Sequence, residues 1–129
     1  MLTFAMALTI PPSENERCMQ LARPGYEAIS LTNDLYSWRK ERIDAASAGQ
    51  DYVFNAIWVI MRERSCSEET AIRICKQEIR RHIAEFNCNV DSARSMGLSV
   101  DTIKYLEAVR LSHVGNLVWS IYCPRYHGT

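Results

Sequence analysis

The stretch TNDLYSWRKE, residues 32–41, places three oxygen-bearing side chains four residues apart. An α-helix turns about 100° per residue, so Asn33, Ser37 and Glu41 would lie within roughly 80° of arc on one helix face. Amide, hydroxyl and carboxylate oxygens are ligands that Mg²⁺ accepts, usually together with waters and substrate phosphates. These three residues, hereafter the Asn–Ser–Glu triplet, predict a magnesium site on a helix. The alternative is an ordinary solvated helix face, where polar residues at this spacing are common.

Positive charge adjoins the triplet, because Arg39 and Lys40 directly precede Glu41. A divalent cation held by a single carboxylate stays electropositive and attracts a diphosphate. Lys40 would then supply a further donor to the phosphate oxygens. The alternative is that these cations pair with acidic residues along a surface helix.

The composition indicates one globular domain of 129 residues, with 47% hydrophobic and 23% charged residues. Its fifteen acidic and fifteen basic residues cancel, so we expect no nucleic-acid or membrane partner. Five cysteines without a CxxC pair favour reduced thiols in a cytoplasmic protein over a disulfide scaffold or a zinc site. The apolar start MLTFAMALTIPP is too short to span a bilayer. We interpret it as the end of a buried helix that begins before residue 1.

The spacing of apolar residues predicts an all-α fold, because no segment alternates with the period of a strand. Ser13 is predicted to cap a short helix over residues 13–22. Pro24 fits the first position of a helix, where its missing N–H is tolerated, so a second helix is predicted over residues 25–43. The polar stretch DAASAGQD, residues 44–51, is predicted to be a loop.

Further helices are predicted in the second half of the chain. Residues 52–64, YVFNAIWVIMRER, are apolar almost all round and predict a central helix that is buried on several sides. The next helix begins either at a capping box of Ser65 with Glu68 or at Ser67 as the alternative cap. Its predicted apolar stripe comprises Ile72, Cys75, Ile79, Ile83 and Phe86.

The last predicted helix is delimited by residues that break or cap helices. Gly97 interrupts the preceding helix and Ser99 caps the last one. This helix is predicted to run to about Cys123, before Pro124 stops it.

The stretch NDLYSWRKE resembles the second metal-binding motif of the class I terpene synthases, Asn/Asp-Asp-x-x-Ser/Thr-x-x-x-Glu, at every fixed position. The resemblance implies that Asn33, Ser37 and Glu41 bind one of three Mg²⁺ ions. It implies that Asp34 packs beside the site and is not itself a ligand. It also implies the α-helical bundle of the class I terpenoid synthases.

A second match lies at NLVWSIYCPRYH, residues 116–127. Helical periodicity alone makes Trp119 a core aromatic and leaves Arg125 and Tyr126 in a surface loop. In the terpene synthases an Arg-Tyr pair follows the last long helix and hydrogen-bonds the diphosphate, so the resemblance implies that role here. A guanidinium fork suits the bidentate binding of phosphate.

The stretches GNLVWSIYCPRY, NAIWVIM and LTIPP are most similar to the cyclase domain of fungal di- and sesterterpene synthases. In many of these proteins a prenyltransferase domain follows on the same chain. The resemblance implies that residues 1–129 are the C-terminal part of one cyclase domain. It implies ionisation of a prenyl diphosphate, geranylgeranyl or geranylfarnesyl diphosphate, followed by cyclisation of the carbocation. Trp58 and Trp119 are candidates to line the pocket, with core packing as the alternative.

The aspartate-rich motif that binds the other two Mg²⁺ ions in this family occurs nowhere in the 129 residues. We therefore expect the chain alone to be inactive. One alternative is an inactive remnant that serves as a helical interaction module, whose uncovered apolar face would favour homo-oligomers. A generic helical bundle would require both motifs to be coincidental. None of His82, His113 and His127 shares a helical face with a partner ligand, so we expect no catalytic base among them.

Overall fold

The structure is a computed structural model that describes the backbone of residues 9–122 and the side chains of residues 9–112. A 3₁₀ turn at Pro12–Glu14 precedes four α-helices in this part of the chain. They are α1 at Asn15–Ser47, α2 at Ala56–Arg64, α3 at Glu68–Ala93 and α4 at Val100–Tyr122. Residues 9–122 contain no strand, and the expected all-α fold is confirmed.

Helix α1 continues through Pro24 without a break, so the prediction of two separate helices is wrong. A proline inside a helix removes one hydrogen bond and costs about 3 kcal/mol. Here Pro24 and Gly25 are both buried, because α1 packs along α3 and α4. A Cβ on Gly25 would lie 3.2 Å from ring atoms of Phe86, so the helix backbone rests on that ring. Tertiary packing offsets the local cost of the proline.

Both ends of α1 differ from the prediction. Ser13 lies inside the 3₁₀ turn and is not a helix cap, because Pro12 already starts the turn one residue earlier. At the other end the helix extends to Ser47, so the first part of the predicted loop at residues 44–51 is helical. A Schellman arrangement ends α1, in which the N–H of Gln50 donates to the carbonyl of Ala45 over 2.9 Å.

The caps of α2 and α3 show where these two helices begin. Helix α2 begins at Ala56 and not at residue 52, because Asn55 caps it by accepting a 2.8 Å hydrogen bond from the N–H of Ile57. Ser65 has a positive φ of 48° and ends α2, so it does not open a capping box. Ser67 is the cap of α3, and its hydroxyl accepts from the N–H of Thr70 over 3.2 Å.

Two hydrophobic clusters lie along α3, one towards each of its ends. The first joins the N-terminal half of α1 to α3 and α4, and consists of Cys18, Leu21, Ala22, Phe86, Val90, Ala93, Tyr105, Leu106 and Val109. The second joins the C-terminal half of α1 to α2 and α3, and consists of Trp38, Ile57, Ala71 and Cys75. Of the predicted stripe of α3, Ile72, Cys75 and Ile79 belong to the second cluster and Phe86 to the first. The four described cysteines are free thiols, and burial raises the pKa of Cys75 to about 11.

The turn between α3 and α4 is as predicted, with Gly97 at a positive φ of 72°. The Ser99 hydroxyl accepts from the N–H of Thr102 over 3.2 Å. Glu14 reaches across from the start of the chain and accepts from the Thr102 hydroxyl over 2.6 Å and from the N–H of Ser99 over 3.0 Å. These two hydrogen bonds tie the entry of α1 to the entry of α4. None of the helices in residues 9–122 has the length and apolar character needed to cross a membrane.

Glu14 should make stability depend on pH. The hydrogen bonds from Thr102 and Ser99 lower the pKa of Glu14 below its ordinary value of 4.5. The stabilisation is therefore complete above pH 4.5 and is lost as the pH falls through the lower, folded-state pKa. Glu14→Gln should flatten this acid dependence in urea titrations between pH 2 and 7. Glu16→Gln, which removes an exposed carboxylate from the first turn of α1, should leave it as in the parent. Equal flattening by both variants would contradict the assignment.

Alanine substitutions at one buried and one exposed phenylalanine test the packing of the core. Phe86 is 3% exposed and Phe54 is 87% exposed. Phe86→Ala should lower the free energy of unfolding by about 3–5 kcal/mol, because it removes buried apolar surface and leaves a cavity under Gly25. Phe54→Ala should change it by about 0.5 kcal/mol or less. Urea denaturation of both variants is the measurement, and similar losses in the two would refute this packing.

Candidate metal centre

The Asn–Ser–Glu triplet lies in the C-terminal half of α1, on a single continuous helix. Ser37 is 9% exposed, and Asn33 and Glu41 are half-buried. The Ser37 hydroxyl donates to Oε1 of Glu41 over 2.5 Å, so two of the three side chains already converge. The helical geometry predicted for the triplet is therefore present.

Asn55 contacts the triplet from outside α1. It is 4% exposed, and its Nδ2 donates to the backbone carbonyl of Asp34 over 2.8 Å and to Oε2 of Glu41 over 3.4 Å. Sequence reasoning missed this residue, because it placed Asn55 within a helix over residues 52–64. The available signal was an asparagine, a favoured cap, directly before the apolar run AIWVIM.

Asp34 connects the same two helices through its side chain. Its Oδ2 accepts a 2.9 Å hydrogen bond from the N–H of Ala56, the first residue of α2. Burial raises the pKa of Asp34, the hydrogen bond from Ala56 opposes that shift, and the charge of Glu41 adds to it. The side chain thus holds α2 against α1. This is the packing position that the sequence motif implied for Asp34.

Lys40 points along α1 in this structure. Its Nζ lies 2.7 Å from Oδ2 of Asp44, one turn further on, and both side chains are at least half exposed. Ion pairs this exposed contribute between 0 and about 1 kcal/mol, so Lys40 can exchange its partner at little cost. The role of Lys40 towards a diphosphate stays a prediction.

The donor set of the triplet fits a hard divalent cation. All three side chains offer oxygen, and Ser37 and Glu41 are within hydrogen-bonding distance of each other. The side chains of residues 9–112 form no group of three His, Cys, Asp or Glu residues that could hold a metal. Since Glu41 is the only charged member of the triplet, a cation bound there would have two neutral protein ligands and one carboxylate. Waters or phosphates would complete its coordination shell.

Trp58 lines an open hollow of about 750 Å³ between α1, α2 and α3. Asp34 and Asn55 also border this hollow. The ring is half-buried, and the guanidinium carbon of Arg62 lies 5.2 Å from its centroid. Trp58 and Asp34 thus border the same hollow, and the function of Trp58 as a lining residue stays a prediction. The side chain of Trp119, and all of Arg125 and Tyr126, lie outside the described residues.

The part of the chain that contains the Asn–Ser–Glu triplet matches a known protein family. Residues 1–85 match the family model described as "Terpene synthase family 2, C-terminal metal binding". The chain is 48% identical over 128 residues to a bifunctional type I diterpene synthase of Aspergillus flavipes, covering 98% of the chain and 17% of that protein. It is 44% identical over 128 residues to a bifunctional sesterterpene synthase of Aspergillus aculeatus, covering 98% of the chain and 18% of the relative. Identity to the fusicoccadiene synthase of Phomopsis amygdali is 39% over 128 residues, again 98% of the chain and 18% of the relative. The chain thus spans less than a fifth of the length of these curated relatives.

The contact of Asp34 with α2 can be tested against another aspartate of α1. Asp34→Ala should lower the free energy of unfolding by about 1–2 kcal/mol, because the N–H of Ala56 loses its acceptor. Asp34→Asn keeps an acceptor oxygen and should cost less. Asp44→Ala removes only an exposed ion pair and should cost about 0.5 kcal/mol or less. Urea denaturation at pH 7 measures all three, and equal losses for Asp34→Ala and Asp44→Ala would contradict the assignment.

Proposed function

Since the chain belongs to terpene synthase family 2, whose C-terminal part binds metal, we propose that it forms part of a terpene cyclase. Residues 1–129 are proposed as the C-terminal part of one cyclase domain. The proposed reaction is the ionisation of a prenyl diphosphate, with release of diphosphate and cyclisation of the allylic cation. The names of the relatives, a diterpene and a sesterterpene synthase, favour geranylgeranyl or geranylfarnesyl diphosphate as the substrate.

The observation that carries this proposal is the convergence of Ser37 on Glu41 inside the matched region. We propose that these two residues and Asn33 hold one Mg²⁺ ion. When bound, Mg²⁺ supplies a Lewis acid that stabilises the departing diphosphate. The half-buried position of Glu41 strengthens its attraction for the cation, because the surroundings screen the charge less than bulk water does.

Other side chains of the chain have proposed roles towards the substrate. Lys40, Arg125 and Tyr126 are proposed to donate to the phosphate oxygens. Arg125 suits a bidentate contact, and Tyr126 offers one phenolic donor. Trp58 and Trp119 are proposed to line the hydrocarbon pocket, where an aromatic face stabilises a desolvated cation by about 2 kcal/mol.

The complete protein is proposed to be larger than this segment. The relatives named bifunctional support a second catalytic domain on the same polypeptide, and a prenyltransferase would supply the prenyl diphosphate. A homo-oligomer and a cytoplasmic location complete the proposal, since free thiols such as those described here persist in reducing compartments.

One observation favours a second candidate, an inactive remnant acting as a helical interaction module. Val100 and Leu111 are 66% and 71% exposed on α4, which provides apolar surface for a partner. Under both candidates the 129 residues alone do not turn over substrate, but only the cyclase requires a functional diphosphate site.

Binding of inorganic diphosphate tests the proposed site. Glu41→Ala should weaken Mg²⁺-dependent binding by at least about tenfold, because it removes the only carboxylate of the triplet. Arg125→Ala should weaken diphosphate binding to a similar degree, because the guanidinium N–H donors are lost. Isothermal titration calorimetry with and without Mg²⁺ is the measurement.

Glu85→Ala is the matched control, since it removes an exposed carboxylate from α3 and should leave binding unchanged. Diphosphate binding that is equally strong in the parent, Glu41→Ala and Arg125→Ala would contradict the cyclase site and favour the remnant.

A further inference from the structure

We propose that Asn55 is a positioning residue for Glu41, which it holds in the orientation that binds the cation. The inference rests on the proposed function, because it takes Glu41 to be a metal ligand. Asn55 itself does not belong to the triplet and lies at the start of a different helix, α2.

Three partners take up nearly all of the hydrogen-bonding capacity of the Asn55 carboxamide. Its Oδ1 accepts from the N–H of Ile57 over 2.8 Å, and its Nδ2 donates to the carbonyl of Asp34 over 2.8 Å. The remaining donor of Nδ2 is directed at Oε2 of Glu41 over 3.4 Å. A side chain that is 4% exposed with this set of partners has little freedom to move, because each lost contact would leave a buried polar group unpaired.

Glu41 is consequently held from two sides. Ser37 donates to Oε1 over 2.5 Å, and Asn55 donates to Oε2 over 3.4 Å. Donors on different oxygens restrict the rotation of this carboxylate, the short bond from Ser37 more strongly than the longer one from Asn55. Each carboxylate oxygen has two lone pairs, so both retain capacity for a cation. The partners of a metal ligand that fix its orientation raise the affinity of the site.

Capping and positioning are separable functions of this residue. Serine and glycine are both accepted at a helix N-cap, so Asn55→Ser and Asn55→Gly retain a suitable start for α2. Neither side chain reaches Glu41 or carries an amide donor. The hydrogen bond from Ala56 to Asp34 is independent of the Asn55 side chain and continues to hold α2 against α1. The variants therefore remove both amide contacts of Asn55, to Glu41 and to the carbonyl of Asp34, and keep the bond between Ala56 and Asp34 as an anchor of α2.

The test measures the affinity for Mn²⁺ alone, from the loss of the electron paramagnetic resonance signal of the free ion. It uses the longest protein that the gene encodes, so that all native flanking segments are present. Asn55→Ser and Asn55→Gly should each raise the dissociation constant of the triplet site by about tenfold. The matched control is Ser67→Ala, which removes the cap of α3. It should lower the thermal midpoint and leave the dissociation constant within about twofold of the parent.

Glu41→Ala separates the failure of this inference from failure of the proposed function. If Glu41→Ala loses Mn²⁺ and both Asn55 variants bind it like the parent, the positioning role is refuted and the metal site stands. If Ser67→Ala weakens Mn²⁺ binding as much as the Asn55 variants do, the effect is one of general stability and the positioning role is again refuted. If Glu41→Ala also binds like the parent, the triplet is not the metal site and both proposals fail.

Discussion

The described structure depends on the continuity of α1 through Pro24. This helix contacts the 3₁₀ turn and each of the other three helices in residues 9–122. Its N-terminal half contributes Cys18 and Leu21 to one hydrophobic cluster, and its C-terminal half contributes Trp38 to the other. A break at Pro24 would leave α3 as the only helix in residues 9–112 that contributes buried residues to both clusters. The backbone at Gly25, directly after Pro24, packs closely against the ring of Phe86, and this packing helps to offset the cost of the proline.

The same continuity gives the candidate metal centre a rigid base. The triplet occupies the part of α1 that meets the first turn of α2, where Asp34 and Asn55 form hydrogen bonds in both directions between the helices. The short loop before α2 is thereby fixed at its end. A glutamate on such a base can keep its carboxylate oriented without the aid of a bound ion, which reduces the ordering cost of metal binding.

The fold class and the helix that carries the triplet could be predicted from the sequence, because both follow from helical periodicity within about ten residues. The cap at Ser67 was likewise a local signal. The continuity at Pro24 could not be predicted, since it depends on Phe86, more than sixty positions along the chain. The contact of Asn55 with Glu41 was missed for the same reason, because an asparagine before an apolar run signals only a helix start and not the partner of its amide.

The central claim is that Asn33, Ser37 and Glu41 form one cation site of a diphosphate-ionising enzyme. A crystal structure of the protein with Mg²⁺ and inorganic diphosphate tests it most directly. One Mg²⁺ should lie about 2.0–2.1 Å from an oxygen of each of the three side chains, with diphosphate oxygens in the same coordination shell. A diphosphate bound through Mg²⁺ ions that have no ligand from the triplet would refute this site.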